Sequence, residues 1–238
     1  MIVLLLYLWY YIELMHYLPI QIIINEGLYV KDPESTALGK KIISKSIELI
    51  DELGFEAFTF KKLGKAIGSP ESSVYRYFES KHQLLVYLIC WYWSWIEYKL
   101  VFGTVNQQSS LEKLNVAIRI LTEPIHIDHS FEHVNEVTLN RIVVAESTKV
   151  FHTKKIDKEN RLGYFAVYKR IVQRVSEIIL EVNPDFKYPN MLVSTVMEGA
   201  HQQAFFVEHL PTITDQAECT DQVQEFYTNL VLKVIGKI

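Results

Sequence analysis

Cysteine is scarce in this 238-residue chain, which carries two, Cys90 and Cys219. Their separation excludes a disulfide framework and any CxxC metal or redox motif. Both read as inert thiols of a reducing compartment, so a cytoplasmic location is expected. Glycine and proline are also sparse, at 9 and 7 residues. No run alternates apolar and polar residues for long enough to predict a sheet. There is no phosphate loop, no nucleophile elbow, no HExxH and no separated carboxylate pair with an evident cleft, so catalysis has no support and no cofactor is expected. Excess positive charge is lacking too. Lysine and arginine number 24 against 28 acidic residues, a formal charge of -4. The chain is therefore no generic polyanion binder, and any nucleic-acid surface must be local.

What is abundant is apolar surface, 49% of residues, enough for an extended helical domain or for a small module joined to a larger one. Residues Met1 to Ile24 are strongly apolar but include Glu13, His16 and Pro19. The stretch lacks the basic start and cleavage site of a signal peptide. As a membrane span it is borderline, because Glu13 near its middle would cost roughly 3 kcal/mol. Within the N-terminal extension 1–34, three readings stay open for residues 1–24: a start that is not native, a helix packed on the body or on a partner, and an anchor. Membrane contact is not the expectation.

Beyond a polar break at 31–35, Asp32 can cap a helix with Pro33 in its first turn, or the helix can start a few residues later. Ile43, Ile47 and Ile50 recur at helical spacing, and Gly54 offers a left-handed stop. Thr59 caps a second short helix with Leu63, Ala66 and Ile67 inward. Gly68 ends it, and Ser69-Pro70 reads as a cap plus first-turn proline for a third. In that helix Val74 and Phe78 lie four apart and face inward, leaving Ser72, Ser73, Arg76 and at least one of Tyr75 and Tyr77 outward. Ser80 and Gln83 form a capping box for a long aromatic helix running until Gly103. Further helices are predicted at 111–121, 131–150, 158–180, 191–210 and 220–235.

The prediction is an all-α chain. A three-helix helix-turn-helix unit at 35–82 is linked through a long helix to a helical bundle, the domain 83–238. The glycine-centred turn between two short helices is what a major-groove reader needs: the buried side of the third helix holds it rigid while Arg76 forks onto guanine or grips a phosphate. Lys40, Lys41, Lys45, Lys61, Lys62, Lys65, Arg76 and Lys81 outweigh the neighbouring acids only slightly. Affinity must then come from placement and from two copies of the module.

The ordered set Gly54-Phe55, Phe58-Thr59, Leu63 to Gly68, Ser73 to Phe78 and Ser80-Lys81 before Leu84-Leu85 resembles the N-terminal domain of the TetR/AcrR family of bacterial regulators. The resemblance implies contact with double-stranded operator DNA through Thr59, Ser72, Ser73, Tyr75, Tyr77 and Lys81, with Arg76 at a variable specificity position. It implies repression more than activation, a body that senses a ligand, and a homodimer. Interface candidates are Val196, Ala200 and Ala204 on one late helix and Val223, Phe226 and Leu230 on the next. Ser69-Pro70 and Glu71 depart from the family pattern, which leaves the operator sequence open.

In the body, Trp91, Trp95, Phe165, Tyr168 and Phe205 are candidates to line a pocket for a small apolar effector, with core packing as the alternative. His126, His129 and His133 are more readily explained as solvated or hydrogen-bonded histidines than as metal ligands, so no metal is expected. The rival to a regulator is a non-enzymatic helical protein-interaction or membrane-associated adaptor.

Overall fold

A computed structural model describes residues 22–128, 130–215 and 222–237. All regular structure among them is helical: α1 (Ala37–Ala57), α2 (Phe60–Ile67), α3 (Glu71–Tyr75), α4 (Lys81–Val105), α5 (Ser110–Thr122), α6 (Glu136–Glu146), α7 (Thr148–Phe151), α8 (Ile156–Arg161), α9 (Ala166–Val182), α10 (Pro189–His209) and α11 (Gln222–Val234). Most of the apolar leader, like His129, Cys219 and the predicted start of the last helix at 220, lies outside the described residues. No helix among the described residues is long and apolar enough to cross a membrane.

The caps explain most of the boundaries. Asp32 caps a 3-10 turn, Pro33–Ser35, and Thr36 then caps α1 through a bond to the Gly39 amide. Gly54 has φ 74° and ψ 155°, so it kinks α1 and does not end it; one more turn follows. Ser80 accepts from the Gln83 amide as a cap should, but Gln83 returns its oxygen to the Glu79 amide and its nitrogen to the Gly27 carbonyl. The predicted box is therefore half formed. Gly103 does not stop α4 either. A side chain there would come within 2.8 Å of Ile120, so glycine lets α4 and α5 cross closely while the helix runs on to Val105.

Two predicted long helices are broken. The 131–150 segment starts only at Glu136, capped by Asn135, and the 158–180 segment splits at Gly163, whose φ is 80°. The helix predicted from 191 starts earlier, at Pro189, which sits in the first turn of α10.

Helix α4 is the axis of the body. Ten consecutive residues, Leu84 to Trp93, are buried, so it is apolar all round, as a helix enclosed by others must be. It packs on α5, α6 and α9, while α10 and α11 close the far side against α5. One continuous set of buried side chains runs from Ile43 and Leu63 in the head to Val196 and Val231 in the body. Fully burying a side chain such as Phe78 or Leu88, both 0% exposed, contributes about 1.5–3 kcal/mol. The head is thus built onto the body and shares its core.

Candidate nucleic-acid interface

The surface at the head begins with Thr59, exposed, whose side chain caps α2 by accepting from the Lys62 amide at 3.2 Å. Phe60, Leu63 and Ile67 turn inward; Ala66, expected inside, is exposed. Gly68 then takes the left-handed conformation (φ 70°, ψ 32°), and the Ser69 amide donates to the Gly64 carbonyl at 2.9 Å. The turn doubles back so tightly that a β-carbon on Gly64 would lie 2.8 Å from the Ser69 carbonyl oxygen and 3.0 Å from the Glu71 nitrogen. Glycine at 64, inside a helix, is the condition for the α2–α3 angle.

The cap of α3 sits one residue later than predicted. Pro70 itself is the cap residue, in extended backbone and without a side-chain bond. Val74 and Phe78 are fully buried, which fixes the roll of α3. Ser72, Tyr75 and Arg76 consequently face solvent. Tyr75 is 50% exposed and braced edge-on by Phe60 at 5.0 Å.

Ser73 and Tyr77 point the other way. Ser73 is buried, and Tyr77 is 3% exposed, with its hydroxyl 2.8 Å from Thr36 Oγ1 and its carbonyl accepting from the Val30 amide. Helical spacing puts both on the flank next to Val74 and Phe78, so they serve to seat the helix. Lys81 is also committed. Its ammonium donates to the carbonyls of Phe55, Glu56 and Phe58 at 3.0, 3.1 and 3.4 Å and lies over the Phe55 ring, closing the carboxyl end of α1. As placed, it is a joint between α1 and α4.

The same use consumes other cations. Lys41 caps the Ile67 carbonyl at 2.9 Å, Lys62 caps Ala57 at 2.8 Å, and Lys45 pairs with Glu48. Lys40, Lys61, Lys65 and Arg76 remain exposed. A count of charges in the sequence cannot make this distinction.

Polar links tie the head to the body. Arg141 forks onto Asp51 at 2.9 and 2.6 Å, Glu146 accepts from the Phe55 amide at 3.1 Å and pairs with Lys149, and His82 meets Glu159 at 2.8 Å. Nothing in the sequence pattern of α6 reveals that it packs on α1, so spacing alone does not point to these residues.

Among the candidates in the body, His133 is bonded to Glu34 at 2.9 Å and His126 is exposed. No group of three metal-binding side chains occurs among the described residues. The five proposed pocket aromatics do not converge. Trp91 packs on Phe131, Trp95 donates to Asp128 at 3.0 Å, Phe165 packs on Phe151, and Tyr168 bonds Glu198 at 2.6 Å. Phe205 alone of the five lines a described cavity, one of about 470 Å³ between α1, α6 and α10. A second cavity, about 230 Å³, adjoins it through Asn140 and Ala204.

Val196 and Ala200, expected at a subunit interface, are 0% and 6% exposed. They face the core of their own subunit, so neither is available to a partner. Ala204 and Phe226 are exposed, and Val223 and Leu230 half-buried. Met191 on α10 and Phe226 on α11 are exposed apolar side chains, at 67% and 58%.

The family model described as "Bacterial regulatory proteins, tetR family" matches residues 42–88, the head and the first turns of α4. The chain is similar in fold to a bacterial regulatory protein in the tetR family from Rhodococcus RHA1 (12% identity, 84% of this chain, 98% of that one, TM-score 0.60). It is similar also to the superantigen PfiT (17%, 85% and 97%, 0.57), and to the transcriptional regulator FadR from Bacillus subtilis solved with stearoyl-CoA (14%, 83% and 98%, 0.57). No curated protein gives a significant match.

Proposed function

Since the chain belongs to the TetR family of bacterial regulatory proteins by its N-terminal domain and its fold, we propose that this ligand-responsive DNA-binding regulator is a cytoplasmic repressor acting as a homodimer on a near-palindromic operator. The observation that carries the reading is the exposed face of Ser72, Tyr75 and Arg76, held rigid by the fully buried Val74 and Phe78.

Each group has a task. Arg76 reads a base edge by a bidentate bond or anchors a phosphate, and Ser72 and Tyr75 supply hydroxyls at the same depth. Thr59, which caps α2, and Lys61 and Lys65 on α2 meet the backbone alongside. Of the residues the family resemblance assigned to DNA, Ser73, Tyr77 and Lys81 act through packing and support this face from behind. Four free cations per head give one copy little hold on DNA at physiological salt, and two heads on one duplex multiply it. The exposed apolar side chains of Met191 and Phe226 are where the copies would meet.

Selection from random duplex DNA tests the reading. A two-fold symmetric consensus with half-sites one helical turn or more apart is expected. Enrichment of no sequence, or of an asymmetric site bound by one chain, overturns it.

A further inference from the structure

We propose that the cleft between α5, α6 and α10 binds an uncharged, largely apolar molecule carrying one hydrogen-bonding oxygen. Its wall is mostly apolar, with Ile120, Leu121, Ile125, Val207 and the alanines of α10 around a space of about 230 Å³. Two polar side chains in this wall keep an unused nitrogen among the described residues. Asn140 accepts from the Tyr92 hydroxyl at 2.9 Å, which fixes its oxygen inward and leaves its NH2 free. His201 has ring contacts with Trp93 and Tyr92 and no hydrogen bond. Neither nitrogen is sealed from solvent, so in the cleft the oxygen of an occupant would take the place of water on both.

The charge of the occupant follows from its neighbours. The one acidic lining residue, Glu123, is neutralised by Lys99 at 2.9 Å and Arg119 at 3.8 Å. Burial pushes the His201 imidazole down to about 4, so at neutral pH it offers one N–H donor and one acceptor, not a cation. A ketone or hydroxyl satisfies Asn140 and His201; an anion finds no counter-charge and must itself be desolvated.

The cleft also has a route to the head. Asn140 and Ala204 are shared with the larger cavity, whose wall contains Asp51 and Arg141, the ion pair joining α1 to α6. An occupant that displaces Asn140 moves the residue next to that pair. This consequence rests on the regulator reading, whereas the binding itself does not.

The test uses Prodan, an uncharged acylnaphthalene dye with one ketone oxygen, titrated fluorimetrically into the full-length protein without DNA. Saturable binding of one dye per chain is expected. Ala204→Trp, at an exposed wall position, should weaken it at least about tenfold. His201→Phe keeps a ring against Trp93 but should cost about fivefold and shift the emission to the blue as the hydrogen bond is lost. The naphthoate counterpart, with a carboxylate in place of the ketone, should bind at least about tenfold more weakly. No binding, equal or tighter binding of the carboxylate, or indifference to Ala204→Trp overturns the proposal. If His201→Phe fails to fold, the other two arms decide it. Prodan binding in a protein that selects no DNA would sink the regulator reading and leave the site standing.

Discussion

Arg76 and Lys81 lie five residues apart and carry the same charge, yet the structure gives them different work. Arg76 is exposed and has no partner among the described residues, whereas Lys81 is held by three carbonyls. Arg76→Ala is expected to cost about 1–3 kcal/mol at one base pair of a selected operator and to relax preference there, measured as the affinity ratio across single-base variants of the site. Lys81→Ala should instead lower the unfolding free energy by about 1 kcal/mol and weaken all duplexes alike through a looser head. If Lys81→Ala leaves the denaturation midpoint unchanged while lowering the salt slope of binding, the lysine touches phosphate after all. His201 supplies a pH signature at the same scale. Its folded value of about 4 lies below the usual 6.5, so the unfolded chain binds the extra proton. Stability from this residue is complete above about pH 6.5 and is lost as pH falls through about 4, by about 2–3 kcal/mol. Urea titrations of wild type and His201→Phe should diverge in slope with pH inside that window.

At the scale of elements, Gly64 tests the geometry of the turn more directly than any surface residue. Its missing side chain lets the Ser69 carbonyl and the Glu71 nitrogen approach, and both are backbone atoms that cannot swing away. Gly64→Ala should therefore cost about 1–3 kcal/mol and tilt α3, weakening operator binding more than non-specific binding. A variant as stable and as selective as wild type would show that the turn tolerates a wider angle. The exposed lysines make a parallel prediction. Lys61→Gln and Lys65→Gln should each reduce the slope of log affinity against log salt by about one, and Lys62→Gln, whose ammonium caps Ala57, should not.

These elements also show what a sequence can reveal of such a protein. Thr59, Gly68, Val74 and Phe78 were legible because caps, left-handed glycines and helical spacing are local. Gly103 and Gly54 were misread as stops for the converse reason. One is glycine because another helix crosses there, and the other bends a helix that tertiary contacts then continue. The inward turn of Tyr77 and the capping by Lys41, Lys62 and Lys81 depend on partners up to 41 residues away. Neither period nor composition carries that information. Of the aromatic set, Trp91 and Trp95 are two of the largest fully buried side chains, which is the core packing that the same residues also allowed.

For the whole molecule the decisive quantity is the number of heads on one duplex. With a formal charge of -4 overall and four free cations on each head, one chain has too few phosphate contacts to hold DNA tightly at physiological salt. The exposed apolar side chains Met191 on α10 and Phe226 and Val234 on α11 offer apolar surface of the kind that a stable, self-complementary contact needs. Phe226→Glu places a charge on that surface and removes nothing from the core of its own subunit. The variant should run as a folded monomer by light scattering, with wild-type helicity. Its affinity for a two-half-site operator should fall by about a hundredfold or more as the second head loses its effective concentration, while its affinity for an isolated half-site is unchanged. A monomeric variant that still binds the full operator like wild type would mean that a single head suffices. A variant that stays dimeric would move the interface elsewhere on the molecule.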